Sequence, residues 1–291
     1  MAKETKAQRV ERIKKEKDGL EVINDIYVYA TTGAPVDPED IDRLKWYGLY
    51  SQNKTLQDEN DDTLYFMLRV KLVHGQLNIE QLETIESIST DFARGNAAIT
   101  TRQDIQFHFI TVRDLPEIFR RLELVGLSTM FAAGDVPRNA VTCPVNGIDH
   151  DQICDTRPIV EKVNKFLTGN KNFSNLPRKF KVGISGCNKH CTNHEIQDIS
   201  FNAVKVSDVD HGIKLLLLDR IDALIDFDIL LDYKIRFEYP DSLALAGLVA
   251  ESYDLFCAYS KEIKFDKAQL DTVFEDLITK GKITNLLKRY N

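Results

Sequence analysis

Between Leu64 and Leu124 the spacing of apolar residues changes period three times, and this alternation constrains the fold more than any other stretch. Leu64–Val73 (LYFMLRVKLV) reads as a strand, and Ile79–Phe92 carries apolar residues at helical spacing. Ala97–Ile110 (AAITTRQDIQFHFI) alternates and is rich in β-branched and aromatic residues, so it predicts a strand; Leu115–Leu124 predicts a helix. The order β-α-β-α is one half of a ferredoxin-like α+β layer, an antiparallel sheet with helices on one face. Further on, a helix over 157–168 and strands near 179–185, 197–206, 213–218 and 233–239 predict a second α+β layer, with helices over about 241–259, 267–279 and 282–289. Residues 1–25 read as a charged helix or arm, 31–62 as loop with a short helix near 41–50, and 128–155 as a long polar connection. The expected domains are an arm and loop over 1–62, a half-domain over 63–127 and a second α+β domain over 128–291.

Charges inside these strands narrow the chemistry. Arg69 and Lys71 share one face of an otherwise apolar strand. Buried charge is costly unless paired, so the pattern points to a ligand or an internal salt bridge. On the 97–110 strand, alternation puts Arg102, Asp104, Gln106 and His108 on one face, suited to hydrogen bonding with carboxylates or, more plainly, to solvent. The net charge is −7, which excludes general nucleic-acid binding, while basic residues gather between 69 and 189. A basic patch on an acidic chain suits a specific small anion. No apolar run approaches the roughly 18 residues of a membrane span. The N-terminus lacks a secretory apolar core, so the expected compartment is the cytoplasm.

Four of the five cysteines lie between 143 and 191, and a cytoplasmic chain does not favour disulfides. Cys257 sits in an apolar helical pattern and reads as a small core residue. Lys179 and Lys181 share a face of the strand that runs into Cys187-x3-Cys191. Cys143 and Cys154 flank a loop. Four thiolates suit zinc or an iron–sulfur cluster, and the ten-residue gap between Cys143 and Cys154 fits zinc knuckles poorly. The bland alternative is inert core thiols, with His190 a surface residue. A Walker motif, a dinucleotide fingerprint and GxSxG are all missing from the sequence.

TTRQDIQFH, GDVPRN, NGIDHDQICDTRP and LPRKFKVGISGC together resemble the nitrite and sulfite reductases that carry siroheme and a [4Fe–4S] cluster. The likeness is closest to the first repeat of the ferredoxin-dependent nitrite reductases. It begins near EKDGLEVINDI and LKWYGLYSQ, runs to about residue 205 and continues more weakly over 233–289. The resemblance implies a single repeat with a siroheme-reductase-type α+β domain. It implies Arg69, Arg138, Lys179 and Lys181 around the bound anion, and Arg102, Gln106, His108 and Asn139 on the siroheme. It implies Cys191 bridging cluster and siroheme iron, with Cys143, Cys154 and Cys187 as the other cluster ligands. The implied reaction is six-electron reduction of nitrite to ammonia, or sulfite to sulfide, with ferredoxin-type electrons.

The chain also departs from that pattern. Family members hold two repeats and this chain resembles one, which implies a second-repeat partner chain or a homodimer. Cys143 matches the first residue of a C-x5-C pair, but Asp149 stands at the second position and Cys154 comes five residues later. Cys154 completes a four-cysteine site only if loop 144–153 folds back, because a cubane needs its sulfurs mutually within roughly 6–7 Å. The rival readings are a non-catalytic half of a split reductase and a tetrapyrrole binder without turnover. The resemblance implies nitrite or sulfite and a ferredoxin-type electron donor as partners, while composition speaks against nucleic acid and membrane.

Overall fold

A computed structural model describes residues 4–187, 189, 191–224, 228–244, 272 and 279–280. The chain divides into two compact units, Met1–Val204 and Lys205–Asn291. The boundaries expected at 62/63 and 127/128 both fall inside the first unit.

The first unit opens with α1 (Lys6–Glu16), started by a reciprocal cap between Thr5 and Gln8. α2 (Val22–Thr32) stops at Gly33, whose φ of 68° favours a residue without Cβ. After α3 (Asp40–Arg43) the chain enters a four-stranded antiparallel sheet of order β1-β2-β4-β3. Its strands are β1 (Leu49–Ser51), β2 (Phe66–Lys71), β3 (Ala98–Ile99) and β4 (Asp104–Ile110). α4 (Ile79–Phe92) and α5 (Leu115–Leu124) carry the helical stripes read from sequence, over the same residues. Asn78 and Gln81 cap α4 reciprocally, and Pro116 sits in the first turn of α5. Phe66, Leu68, Val70 and Phe107 from the sheet pack with Ile26, Ile88, Ile118 and Leu122 from helices in one apolar core. Burying such side chains stabilises by about 1.5–3 kcal/mol each. Trp46, the single tryptophan, is buried in that core, and its indole N–H donates to the Ser174 carbonyl at 2.6 Å.

The expected strand over 97–110 is a hairpin instead. The Thr100 hydroxyl accepts from the N–H groups of Arg102 and Asp104 at 3.2 and 3.1 Å, and Gln103 takes a φ of 57°. Local side-chain bonds of this kind compete with the ladder and turn the chain. Arg102 therefore stands in the turn rather than on the strand face with Gln106. A bulge follows: Leu68 opposes Phe107 while Phe66 opposes Ile110, leaving two residues of β4 against one of β2. It re-aims His108 toward Gln52, whose Oε1 lies 3.3 Å from His108 Nδ1.

The second sheet of this unit is parallel, of order β5-β6-β7: β5 (Val141–Thr142), β6 (Val182–Ser185) and β7 (Ile199–Asn202). Parallel neighbours need a crossover, and α6 (Arg157–Leu167) supplies the one between β5 and β6. Its Val160 packs on Ala140, Val182 and Ile184.

In the second unit the strands expected over 213–218 and 233–239 are corrected to helices, α7 (Val209–Leu217) and α8 (Asp228–Phe237). The run IKLLLL has no clear period of its own, and Asp208 settles it by capping the His211 N–H at 2.7 Å. Arg236 and Asp232, at i,i+4 spacing and 2.9 Å, support α8. The helices expected over 241–259, 267–279 and 282–289 lie, apart from a few residues, outside the described residues, as does Cys257. No helix among the described residues is long and apolar enough to cross a membrane.

Candidate anion and metal site

Strand alternation builds the first part of the site. β2 sends Phe66, Leu68 and Val70 into the core and Arg69 and Lys71 to the other face. The register sets Arg69 opposite Gln106 and Lys71 opposite Asp104. The chain over 132–139 lies across this polar face. Arg138, 6% exposed, donates to the carbonyls of Ala132 (3.0 Å) and Gly134 (2.9 and 3.2 Å) and to the Tyr50 hydroxyl (3.0 Å). Arg69 donates to the same Ala132 carbonyl at 3.3 Å, and with its carbonyl oxygen turned inward Gln106 accepts from Arg69 at 2.6 and 3.1 Å. Arg102 reaches the second sheet, donating to Gln197 (2.9 Å) and to the carbonyls of Asn139 (2.7 Å) and Val182 (3.3 Å). Its Nε is buried with no partner. Lys71 Nζ donates to the Thr168 hydroxyl at 2.6 Å.

Three cations, Arg69, Lys71 and Arg102, thus act on one buried carboxylate, Asp104, with Arg138 beside them. Burial pushes Lys71 down to about 8, with Arg138 and Arg102 pushing the same way and Asp104 resisting. Burial pushes Asp104 up to about 6, against the pull of Arg69, Lys71 and Arg102. Arg69 and Arg102 are both lowered, first by burial. Burial would raise the Tyr50 phenol, but the charges of Arg138 and Arg69 and the Arg138 hydrogen bond outweigh it, and its pKa is lowered.

Asn139 has no exposed surface, and its amide nitrogen donates within this cluster. It reaches the carbonyls of Leu72 (2.9 Å), Arg102 (3.1 Å) and Gln103 (3.2 Å) and the Asp104 carboxylate (3.0 Å). The Gln103 amide makes a two-point contact with the Thr142 backbone, at 3.1 Å in both directions. Sequence reasoning read Lys71 with Arg69 as a ligand contact or an internal salt bridge and put Asp104 on the hydrogen-bonding face, but it did not pair the two and gave Gln103 no role. The signal for Lys71 and Asp104 was present in the charges of an apolar strand; their pairing needed the register.

Lys179 and Lys181 are placed differently. Phe180 between them pairs with the 136–138 backbone, its carbonyl accepting from the Arg138 N–H at 2.8 Å. The side chain of Lys179 is exposed, and the Lys181 ammonium sits on the Ile196 carbonyl. The structure gathers Arg69, Arg102 and Arg138 with Lys71, and leaves these two lysines at the rim.

The cysteines come off the carboxyl ends of adjacent parallel strands. Cys143 follows Thr142 of β5 and Cys187 comes two residues after Ser185 of β6; Thr142 and Ile184 are register partners. Strands about 4.8 Å apart thereby bring the two thiols together. The sulfurs of Cys143, Cys187 and Cys191 all lie within 4.8 Å of one another. Cys191 is exposed as a residue, yet burial of its sulfur and the two neighbouring thiols push it up to about 11. Burial would raise Cys187 too, but the Lys189 N–H, the Ser185 hydroxyl and the other thiols bring it down. The Cys154 sulfur stands outside this group. Its peptide is bonded to the Gly186 carbonyl, 3.2 Å from the Cys154 N–H, and its own carbonyl fills the space a Gly186 Cβ would occupy. The residue is held by its backbone, with its sulfur apart from the other three.

Comparisons with known proteins match two segments of the chain. Residues 57–125 match the nitrite/sulfite reductase ferredoxin-like half domain. Residues 133–218 match the nitrite and sulphite reductase 4Fe-4S domain. A ferredoxin–nitrite reductase of Leptolyngbya laminosa is 39% identical over 209 residues, covering 68% of this chain and 39% of that one. A ferredoxin sulfite reductase of Mycobacterium tuberculosis (strain CDC 1551 / Oshkosh) is 38% identical over 214 residues, covering 69% and 38%. The solved structure of the Mycobacterium tuberculosis NirA protein superposes with a TM-score of 0.62 at 37% identity, over 69% of this chain and 38% of that one. The chain therefore spans less than two fifths of the length of these relatives. With an α+β architecture, a ferredoxin-like half-domain and a three-cysteine group in the matched segments, the chain belongs to the nitrite and sulfite reductase family.

Proposed function

We propose that this chain is a siroheme- and oxyanion-binding repeat of a cytoplasmic reductase. It would take nitrite to ammonia, or sulfite to sulfide, with electrons from a ferredoxin-type donor. The observation that carries the reading is the excess of enclosed positive charge: buried Lys71 and Arg138 and half-buried Arg69 and Arg102 against Asp104, with Arg102 Nε left without an acceptor. Uncompensated buried cations are destabilising, and an anionic ligand is what such an arrangement suits. Siroheme, an octacarboxylate macrocycle, fits that chemistry, and Cys143, Cys187 and Cys191 carry the donor type of an iron–sulfur cluster at a spacing tighter than the roughly 6–7 Å of a cubane. When bound, these groups supply the electron path and the iron that takes the oxyanion.

The chain's own residues orient and neutralise. Arg138 is fixed by two carbonyls and Tyr50, so its charge stays in place as negative charge grows on a bound oxyanion. Arg102 Nε offers a carboxylate a donor that is already desolvated. We assign residues 1–62 as the arm, 63–127 as the half-domain and 128–291 as the metal-bearing domain. Lys179 and Cys191 are exposed, so the site is open on one side. That favours a second repeat, in a separate chain or a second copy, that covers it.

The test is the visible spectrum of the full chain expressed with a supply of siroheme, then titrated with nitrite and with sulfite. A retained tetrapyrrole band that shifts with one of the anions is expected. A chain that retains no chromophore, alone or as an oligomer, overturns the reading.

A further inference from the structure

We infer that Cys143, Cys187 and Cys191 form a site for a single zinc ion, rather than the seat of a four-iron cubane. The siroheme and oxyanion pocket does not depend on it. Size separates the two. All three sulfurs lie within 4.8 Å of one another, whereas a cubane holds its thiolates roughly 6–7 Å apart. The hollow beside Cys143 and Cys187, about 160 Å³, is too narrow for a water molecule, so that side leaves no room for a cubane. The Cys154 sulfur stands outside the group. A single ion needs far less space. With zinc–sulfur bonds of about 2.3 Å, thiolates at the corners of a tetrahedron stand about 3.8 Å apart, inside the observed limit.

The fold sets the three thiols in this arrangement before any ion arrives. Cys143 and Cys187 leave the carboxyl ends of β5 and β6, whose register pairs Thr142 with Ile184. The Ser185 hydroxyl accepts from the Cys187 N–H at 3.4 Å, donates to the Cys187 carbonyl at 2.9 Å and stands 3.7 Å from its sulfur, which fixes the start of the turn. Between Cys187 and Cys191, Lys189 Nζ bridges Asp149 at 3.2 Å and Asp151 at 2.7 Å, tying the turn to the loop that follows Cys143. Cys191 is exposed, so the fourth corner of the tetrahedron opens to solvent on its side and water takes it, as in zinc sites with three protein ligands. Charge selects the ion. Cys143 and Cys187 are 4% and 2% exposed, where bare thiolates are costly. A divalent ion leaves one net negative charge on three thiolates, whereas monovalent copper would leave two. Such a site also binds zinc ahead of ferrous iron. Three thiol protons pass to the buffer as three zinc–sulfur bonds form, with no change of oxidation state. Zinc so bound staples the ends of β5 and β6 to the 187–191 turn. A [4Fe–4S] cluster in an assembled reductase would then take its ligands from the covering repeat.

The experiment strips the full chain of metal anaerobically with a chelator and titrates it with Zn2+, and with Co2+ as a coloured substitute, as wild type, Cys143→Ser, Cys191→Ser and Cys154→Ser. Zinc content, affinity by competition with a chromophoric chelator and the cobalt absorption spectrum are read. Trp46 fluorescence during urea unfolding checks that each variant is folded. We expect one zinc per chain, and tetrahedral cobalt bands with thiolate-to-metal charge transfer, in wild type and Cys154→Ser. Cys143→Ser and Cys191→Ser should each weaken zinc binding about a hundredfold or more. Cys191 is the exposed member, so its variant decides the matter if the buried Cys143→Ser does not fold. An equal loss in Cys154→Ser, or no zinc bound by folded wild type that holds siroheme, overturns this inference alone. So does uptake of Fe2+ and sulfide as a [4Fe–4S] cluster that zinc does not displace and that Cys191→Ser abolishes. A chain that binds neither zinc nor siroheme overturns the functional reading as well.

Discussion

Replacing Lys71 with methionine should make the ligand-free protein more stable at neutral pH. The side chain is 6% exposed, and its pKa falls from 10.5 to about 8, chiefly through burial. At 1.36 kcal/mol per pKa unit, holding the ammonium charged in the folded protein costs about 3 kcal/mol relative to the unfolded chain. The variant forfeits the hydrogen bond to Thr168, worth about 1 kcal/mol. Methionine fills similar volume with a flexible apolar stem, so a net gain of about 2 kcal/mol is expected. The sign reverses with pH in a defined window. A lysine whose folded pKa is depressed contributes stability above its unfolded pKa and loses it as pH falls through the folded value. The advantage of Lys71→Met should therefore be full below about 8 and close as pH rises toward 10.5. Urea unfolding followed by Trp46 fluorescence reads the first unit directly, since this is the single tryptophan. A variant less stable than wild type at pH 7, or a gap that is the same at pH 7 and above pH 10, would refute the reasoning.

Further outcomes can be checked with the same fluorescence. Asn139→Ala strips two N–H donors shared among four buried acceptors and should lose about 2–4 kcal/mol; a loss under 1 kcal/mol would show that they find other partners. Asp104→Asn should flatten the pH dependence of stability between about 4 and 6. The raised carboxyl in wild type contributes stability below its unfolded pKa that disappears as pH climbs through about 6, a change of about 3 kcal/mol. Gly186→Ala should displace the Cys154 peptide and lose about 1–3 kcal/mol, visible as a lower unfolding midpoint. Lys179→Ala, at an exposed position, should leave the unfolding midpoint within about 0.5 kcal/mol of wild type while lowering nitrite or sulfite turnover about tenfold or more; equal effects on both would remove Lys179 from the site.

Elements with their own boundary chemistry were legible from sequence. α4 and α5 carry a capping pair and a first-turn proline, and both helices have the limits that the periodicity predicts. α7 was not legible, because IKLLLL suits either period and the decision rests on one aspartate just before the helix. The hairpin at Thr100–Gln103 was hidden for a related reason: a threonine hydroxyl bonding two N–H groups ahead leaves no mark on an alternating pattern. At the site, the thiols of Cys143, Cys187 and Cys191 could be grouped from spacing and family likeness. The Lys71–Asp104 juxtaposition could not, since strand register depends on two segments at once. Asn139 was placed by likeness on the cofactor, whereas its amide nitrogen bonds the hairpin backbone and Asp104.

The contacts of Asn139 also bear on the order in which this protein takes shape during synthesis. All the strands and helices of the antiparallel layer lie before residue 125, so that layer is translated before the segment 132–142 that covers its charged face. Until that segment docks, Arg69, Lys71 and Asp104 stand in water, where their charges are cheap to hold. Dehydration of the cations then coincides with the arrival of one amide and one arginine from later in the chain, Asn139 and Arg138. A nascent chain halted near residue 125 would carry a solvated, positively charged sheet face, open to any polyanion in its surroundings.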